Sequence, residues 1–442
     1  MAGNALFIIW RSWLNIFAYS SILTCLILLP FISDVVIAFL PAARIRLIRN
    51  SAMTVFVGMF AITIVVARLL NWRANWQLQQ NLHWFVGLQY HVGADSLTAL
   101  ALLALAGTSL ITALASYVID QYVKVWYVLL LLLSGSLAGA LCSMNLMLFA
   151  GFGAISIIPG YFLFGLWGGP SRRAAAMKYA MIATLGAMAL FVAVMFLWVQ
   201  SRQLAALHNT SEISPLLLPH AESQGTAAIA SPHFADGSWR TQGTFDIRRL
   251  ATLLGGHGEW IAFLLVLAAL AIRMGLPGGH IWLPDALAEG AVPGVGLVVG
   301  GNFILGIYML VRMVLSLFYS QFVAHRSGLV GWGIVGLVYA ALCALAQSDL
   351  RRLIAYWLVS QAAMVLLAAA TLNYAGVQAI VLFAGGDTFT LLLLLWSGHV
   401  LSRRTAGRDL NSLGGKKISH NREYFRRKKP QPRAGHAGEK SD

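Results

Sequence analysis

Eleven long apolar runs, joined mostly by short connections, leave this chain few ways to fold. A helix needs about 20 apolar residues to cross the hydrocarbon core of a bilayer. Runs of that kind lie at approximately Phe17–Leu40, Ala52–Leu70, Asp95–Ile119, Val125–Leu141, Leu146–Trp167, Ala176–Val199, Trp260–Leu276, Gly294–Leu317, Leu329–Ala346, Leu353–Leu372 and Val377–Leu401. The fourth and fifth are separated only by the corner at Cys142–Asn145. Charged residues make up 11% of the 442 positions, against about a quarter in a soluble domain. So few charges cannot cover a water-facing surface of this size. Lipid offers no partner for backbone N–H and C=O groups, so a spanning segment must satisfy them internally. The expected fold is therefore all-α: a polytopic membrane bundle of about eleven transmembrane helices over residues 1–401, with no soluble domain.

The formal charge of +15 would suggest a nucleic-acid partner until it is located. Residues 401–442 hold 12 Lys and Arg against 4 Asp and Glu, a net +8, so over half of the excess lies in a terminal tail. Residues 402–442 read as a basic, largely disordered cytoplasmic tail able to touch anionic lipid, with no nucleic-acid role. Connections after odd-numbered runs carry Arg44, Arg46, Arg49, then Lys124, then Arg172 and Arg173, then Arg351 and Arg352. Those after even-numbered runs carry little beyond Arg73 and Arg326. The positive-inside rule then predicts an outside N-terminus and a cytoplasmic C-terminus, as an odd number of spans requires. The first run leads into further ones, so it reads as an anchor and not a removed signal. A polar segment at about 200–259, rich in Ser, His, Pro and Gly, is expected to be irregular and external. Cys25, Cys142 and Cys343 fall far apart in apolar runs and read as small core residues, with no metal or disulfide spacing. No phosphate-binding glycine loop, HExxH, CxxC or GxSxG is present, so flavin, iron–sulfur and nicotinamide sites have no place in the chain.

An ionisable side chain within a bilayer is costly and marks function. The candidates are Asp34, Lys178, Arg273, His280, Asp285, Glu289, Arg312 and Asp387. The segment around Arg273 is the richest. Gly275, Pro277, Gly278 and Gly279 interrupt an apolar half-helix just after the charge, and Trp282, Pro284, Asp285 and Glu289 follow. Glycine and proline there free backbone carbonyls at membrane depth, and a charge beside a broken helix is a recurrent ion-path device. The seventh span is expected to be broken here. Asp387, in AGGDTF, sits where two glycines permit close helix approach, and a pairing with Arg273 or Lys178 is considered.

HIWLPDALAEGAVP at His280–Pro293, followed by GIYMLVRM, resembles the signature of the antiporter-like membrane subunits of complex I-type NADH–quinone oxidoreductase. These are the chain 4/M and chain 5/L proteins, related to Mrp-type cation/proton antiporter subunits. YHVGADSLTALALL near Asp95, IIPGYFLFGLWGG with AAAMKYAMIATLG, and ALAQSDLRRLIAYWLVSQAAMVLL followed by RRTAGRDLNSLGG support the likeness. It runs from about Leu26 to Gly415 and fits the chain 4/M type best.

The resemblance implies a row of titratable residues across the membrane. Of these, the sixth-helix Lys is present as Lys178 and the seventh-helix Lys becomes Arg273. The fifth-helix Glu falls at Ala154, the eighth-helix Lys at Ile304, its alternative His near Val298, and an eleventh-helix His near Gly386 beside Asp387. Further helices are implied where this sequence turns basic, so the likeness is to a degenerate, C-terminally short member. An arginine does not release its proton in a useful cycle, so the implied proton route is degraded. Lys178, Arg273, His280 and Asp387 remain the ion-pathway candidates. The resemblance implies a multi-pass protein of the bacterial inner membrane, acting as a membrane-arm subunit in redox-coupled proton or cation translocation. Its partners would be other membrane-arm and redox subunits, and NADH, flavin, iron–sulfur and quinone would bind only in those partners. A non-conducting structural or assembly paralogue, and a subunit of an Mrp-like antiporter or related hydrogenase or inorganic-carbon system, are the alternatives.

Overall fold

A computed structural model describes residues 2–72, 76–85, 88–211, 244–254, 259–405 and 410. The helices are α1 (Ala2–Phe39), α2 (Ile45–Leu69), α3 (Ser96–Ala115), α4 (Val123–Cys142), α5 (Leu146–Ile155), α6 (Ile157–Leu166), α7 (Arg172–Ser211) and α8 (Ile247–Leu254). They continue with α9 (Trp260–Met274), α10 (Leu283–Glu289), α11 (Val292–Met309), α12 (Leu315–Leu317), α13 (Tyr319–Ala324), α14 (Arg326–Leu345), α15 (Leu350–Ala370) and α16 (Tyr374–Thr405). Ten helical stretches among the described residues are long and apolar enough to cross a membrane, and α9 is a shorter apolar helix at the seventh place. Each expected span is matched in order, the seventh as the broken one.

Short polar side chains set the starts of several helices by accepting orphan backbone N–H groups. Asp95 accepts from Thr98 N at the head of α3, Asn145 from Met147 N and Leu148 N at α5, and Asp349 from Arg351 N at α15. The axis of the bundle is α11, where 94% of the apolar stretch is buried, enclosed by α3, α4, α9 and α16. At the rim, α1 exposes Ile32, Val35, Val36 and Phe39, and α14 exposes Ile334, Val335, Val338, Leu342 and Leu345. Lipid tails are as apolar as leucine, so these rims need no protein cover, and close packing of small residues holds the centre together.

Several features depart from expectation. The fifth span, Leu146–Leu166, stays helical through Ser156 (φ −62°, ψ −19°) but loses ladder bonds ahead of Pro159, which has no N–H, and Ser156 Oγ donates to Gly153 O at 2.7 Å. The eighth span carries a π-helical turn at Leu310–Val314. An antiparallel hairpin, β1 (Gln77–Phe85) with β2 (Leu88–Ala94), joins the second and third spans, so the chain is not purely helical. Within the polar segment at 200–259 the described residues include the end of α7, to Ser211, and α8, whereas residues 212–243 and 255–258 lie outside the described set. The expected disordered tail falls almost wholly outside the described residues. Cys142 is buried, Cys343 is half-buried, and Cys25 is exposed, so the core reading fails for Cys25.

The hairpin, the α4–α5 corner and the head of α8 are tied at one end of the bundle. Met144 N donates to His91 O at 2.9 Å, Leu146 N to Phe245 O at 2.9 Å and Ile247 N to Met144 O at 3.0 Å. His91 Nδ1 lies 2.8 Å from Asp246 Oδ2 with both side chains buried, and Asp246 also accepts from Arg248 N at 2.9 Å. Burial alone would raise the Asp246 carboxyl. The hydrogen bond and charge of His91, with Arg248, outweigh burial and hold it below the ordinary carboxylate value. A carboxylate depressed in the fold stabilises it above the unfolded value, about 4, and the contribution disappears as pH falls through the folded value. Asp246→Asn is therefore expected to lower Tm in detergent at pH 7. The gap to the parent should close below pH about 4; a gap unchanged down to pH 3 would contradict this.

Candidate ion-pathway site

The break after Arg273 is a local consequence of three residue types. Gly275 takes φ +75°, in the left-handed region that closes a helix at little cost. Its N–H and that of Leu276 both reach Ala271 O, and Pro277 cannot extend the ladder. The chain then turns back under the end of α9. A Cβ at Gly279 would lie 2.5 Å from the carbonyl carbon and oxygen of Ala271 and 2.6 Å from Ile272 N, so only glycine fits. Pro284 opens α10 at its first turn, where a missing N–H costs nothing.

Backbone groups released at such depth need partners, and they have them. Trp282 Nε1 donates to Ile272 O at 3.0 Å and Trp332 Nε1 to Pro277 O at 3.2 Å. Arg351 Nη1 donates to Ala288 O at 3.3 Å and Gly290 O at 3.1 Å. Gly169 N donates to Glu289 O at 2.7 Å. Arg351 is buried here, although in the sequence it reads only as part of a topology-setting pair. Nothing in sequence spacing points it at carbonyls some sixty residues away.

Arg273 ends α9 and extends between α5 and α11. Nη1 donates to Asn302 Oδ1 at 2.7 Å and Nη2 to Gly153 O at 2.7 Å. Asn302 Nδ2 donates to Val298 O at 2.8 Å and, more weakly at 3.5 Å, to Tyr179 Oη. Tyr179 packs edge-on against Trp282 with centroids 5.1 Å apart. Among the described residues no carboxylate pairs with Arg273.

One residue before Tyr179, Lys178 Nζ meets Asp285 Oδ2 at 2.7 Å, and Asp285 Oδ1 accepts from Arg352 Nη2 at 3.3 Å. Two spans, α7 and α15, thus converge on the first turn of α10. Glu289 Oε2 accepts from Ser171 N at 3.0 Å. His280 Nε2 lies 3.1 Å from Tyr339 Oη, and its ring also approaches Tyr356, at 6.3 Å between centroids. Of these three, Glu289 bonds the backbone of the loop before α7, whereas Asp285 pairs with side chains. The Lys178 and Asp285 side chains are 35% and 32% exposed, and pairs that open contribute about 1 kcal/mol or less. Asp285→Asn is expected to move Tm little while raising the reactivity of the freed Lys178 amine toward an acetylating reagent several-fold. Unchanged labelling of Lys178 would argue against the pair.

Asp387 is buried, and its Oδ2 has no hydrogen-bond partner. The considered pairing with Arg273 or Lys178 is not formed, and α11 is the reason. Gly296 and Gly300 face Leu392 and Thr388 of α16, whereas Asn302, about 200° further round at about 100° per residue, faces Arg273. The axial helix stands between the two charges. Ile304 and Val298 are fully buried on α11. A second ion pair was not anticipated: Arg312, in the π-turn, meets Asp95 at the head of α3 and lies over the Trp76 ring at 4.2 Å. The Asp95-x-x-Thr98 cap and the lone Arg312 were visible separately, but their 217-residue separation hides the pairing.

Chemically, the line Arg352–Asp285–Lys178, then Tyr179–Asn302–Arg273–Gly153 O, leads polar groups from one end of the bundle toward its centre. Its outer part holds an amine and a carboxylate beside Arg352, and its inner part a guanidinium that keeps its proton and a carboxamide that does not ionise.

The chain is thus a polytopic membrane bundle with a broken helix, a charged mouth and a half-buried cation beside the break. Residues 237–418 match the family described as NADH:quinone oxidoreductase/Mrp antiporter, transmembrane. It is 27% identical over 400 residues to NAD(P)H-quinone oxidoreductase chain 4 1 of Synechococcus elongatus, covering 89% of this chain and 67% of that one. It thus spans about two thirds of that relative. A chain of respiratory complex I from Thermus thermophilus shares the fold with TM-score 0.68 at 21% identity, over 88% of this chain and 73% of that one. A chain of the Mrp complex from Dietzia sp. does so with TM-score 0.69 at 18% identity, over 88% and 65%.

Proposed function

We propose that this protein is a membrane-arm subunit of a complex I-like NADH–quinone oxidoreductase assembly in the bacterial inner membrane, contributing to redox-coupled proton or cation translocation. The observation that carries this reading is the broken seventh span, with Arg273 at its break and the Lys178–Asp285–Arg352 cluster at its mouth, set in the fold described above. The chain binds no redox group itself; NADH, flavin, iron–sulfur and quinone belong to partner subunits. Loop charge supports an outside N-terminus and a cytoplasmic tail. Lys178, Arg273 and His280 line the proposed pathway, with Asp387 on the far side of α11.

A second reading is favoured by one specific feature. Arg273 is held by neutral acceptors only, which suits a subunit that keeps the bundle's shape without conducting. The composition of the complex purified in mild detergent tests the assignment. Other antiporter-like and redox subunits should co-purify, whereas their absence would overturn it, and cation/proton antiporter subunits alone would favour an Mrp-like assembly. Reconstituting the protein alone in liposomes separates conduction from scaffolding: proton or sodium flux abolished by Arg273→Ala would reject the non-conducting reading.

A further inference from the structure

A guanidinium in the middle of a membrane bundle without an anion beside it is an unbalanced charge. The effective penalty for burying an ion is several kcal/mol after relaxation. A lysine could shed the charge, but an arginine keeps it. Neutral acceptors at Asn302 Oδ1 and Gly153 O solvate the group but supply no negative charge.

Among the described residues, the acidic side chains that could supply one are occupied or distant. Asp95 is taken by Arg312, Asp120 by Arg49 and Asp246 by His91. Asp285 serves Lys178 and Arg352, Glu289 serves Ser171 N, and Asp349 caps α15. Asp387 lies across α11. Asp34 stands on α1, which packs against α2, α4 and the hairpin and not against α9. The guanidinium has five N–H donors, and its two protein bonds use two of them. Its side chain is also not sealed: Arg273 is only half-buried, unlike its neighbours Ala271 and Met274, and Ala154 beside Gly153 is likewise half-buried. A half-buried cation with three spare donors and no carboxylate partner among the described residues makes a site for an anion.

We propose that Arg273, oriented by Asn302 and Gly153 O, binds one small monovalent anion of the chloride class inside the bundle, as the counter-charge that the fold omits. The anion sits against the free N–H groups of the guanidinium. It holds the fixed charge neutral, so the broken span tolerates an arginine at its end. This goes beyond the assignment to an assembly and does not depend on which partners the chain has.

The test uses the purified full chain in detergent, with radiolabelled chloride and with Tm measured in sodium chloride against sodium gluconate at equal ionic strength. The parent protein should bind about one chloride per chain, saturably, and its Tm should rise by a few degrees on moving from gluconate to chloride. Arg273→Met removes the cation, and Asn302→Asp places a carboxylate where Oδ1 already meets Nη1. Both should lose the saturable binding and the chloride-dependent part of Tm. If Arg273→Met does not fold, Asn302→Asp decides alone, since it keeps both the shape and the arginine. No saturable chloride in the parent protein, or binding retained in Asn302→Asp, overturns the proposal.

Discussion

Replacing Gly279 by alanine is expected to cost this protein about 3 kcal/mol or more, enough to remove most of the monodisperse, folded fraction recovered in detergent. Overpacking ordinarily costs about 1–3 kcal/mol because flexible side chains give way. Here the added methyl meets backbone, with Ala271 C and O at 2.5 Å and Ile272 N at 2.6 Å. The backbone of α9 can move only by breaking the bond from Trp282 Nε1 to Ile272 O. Size-exclusion profiles and Tm of Gly279→Ala beside Gly278→Ala provide the check. Gly278 has open space around its Cβ position but a φ of +96°, so its alanine should lose about 1–2 kcal/mol for a left-handed alanine and remain folded. Equal behaviour of the two variants would mean that the close crossing under α9 is not formed.

The second large effect is expected at Asn302. Asn302→Leu removes the 2.7 Å bond to Arg273 Nη1 and leaves an apolar group against a half-buried cation. Hydrogen bonds to charged groups contribute about 1.5–3 kcal/mol, and the loss is greatest when only one partner is deleted. A loss of about 2–3 kcal/mol follows, read as a fall in Tm. Combining it with Arg273→Met removes both halves of the contact, so the double variant should stand within about 1 kcal/mol of Arg273→Met alone. Such strong coupling is the expected sign of two residues in direct contact. Additive losses would mean that Asn302 supports the bundle in another way.

That the span after Arg273 breaks could be read from Gly275, Pro277 and Gly279, because a missing Cβ or N–H acts on its own backbone. The eleven spans were legible for the same reason: helix formation in lipid depends on the hydrophobicity of each segment alone. Helix starts at Asp95 and Asp349 also follow from short-range chemistry. The fifth span was legible as one run, since Pro159 loosens its hydrogen-bond ladder without ending the helix. The hairpin before Asp95 was missed, since its polar strands lack the apolar alternation that marks a half-buried sheet.

The pairing of the charges was not legible at all. Lys178 with Asp285, Asp95 with Arg312, His91 with Asp246 and Arg351 with the carbonyls of Ala288 and Gly290 join residues from 61 to 217 positions apart. Asp387 read as a plausible mate for Arg273, and only the packing of α11 on α16 through Gly296 and Gly300 shows them on opposite faces of one helix. Local composition establishes that this chain spans a membrane as a helical bundle, the order and rough extent of its apolar runs, and that one run is broken beside a cation. Only the tertiary structure decided which charge faces which, because a side chain's counter-ion is chosen by the rotation and contact of packed helices, and no segment encodes that alone.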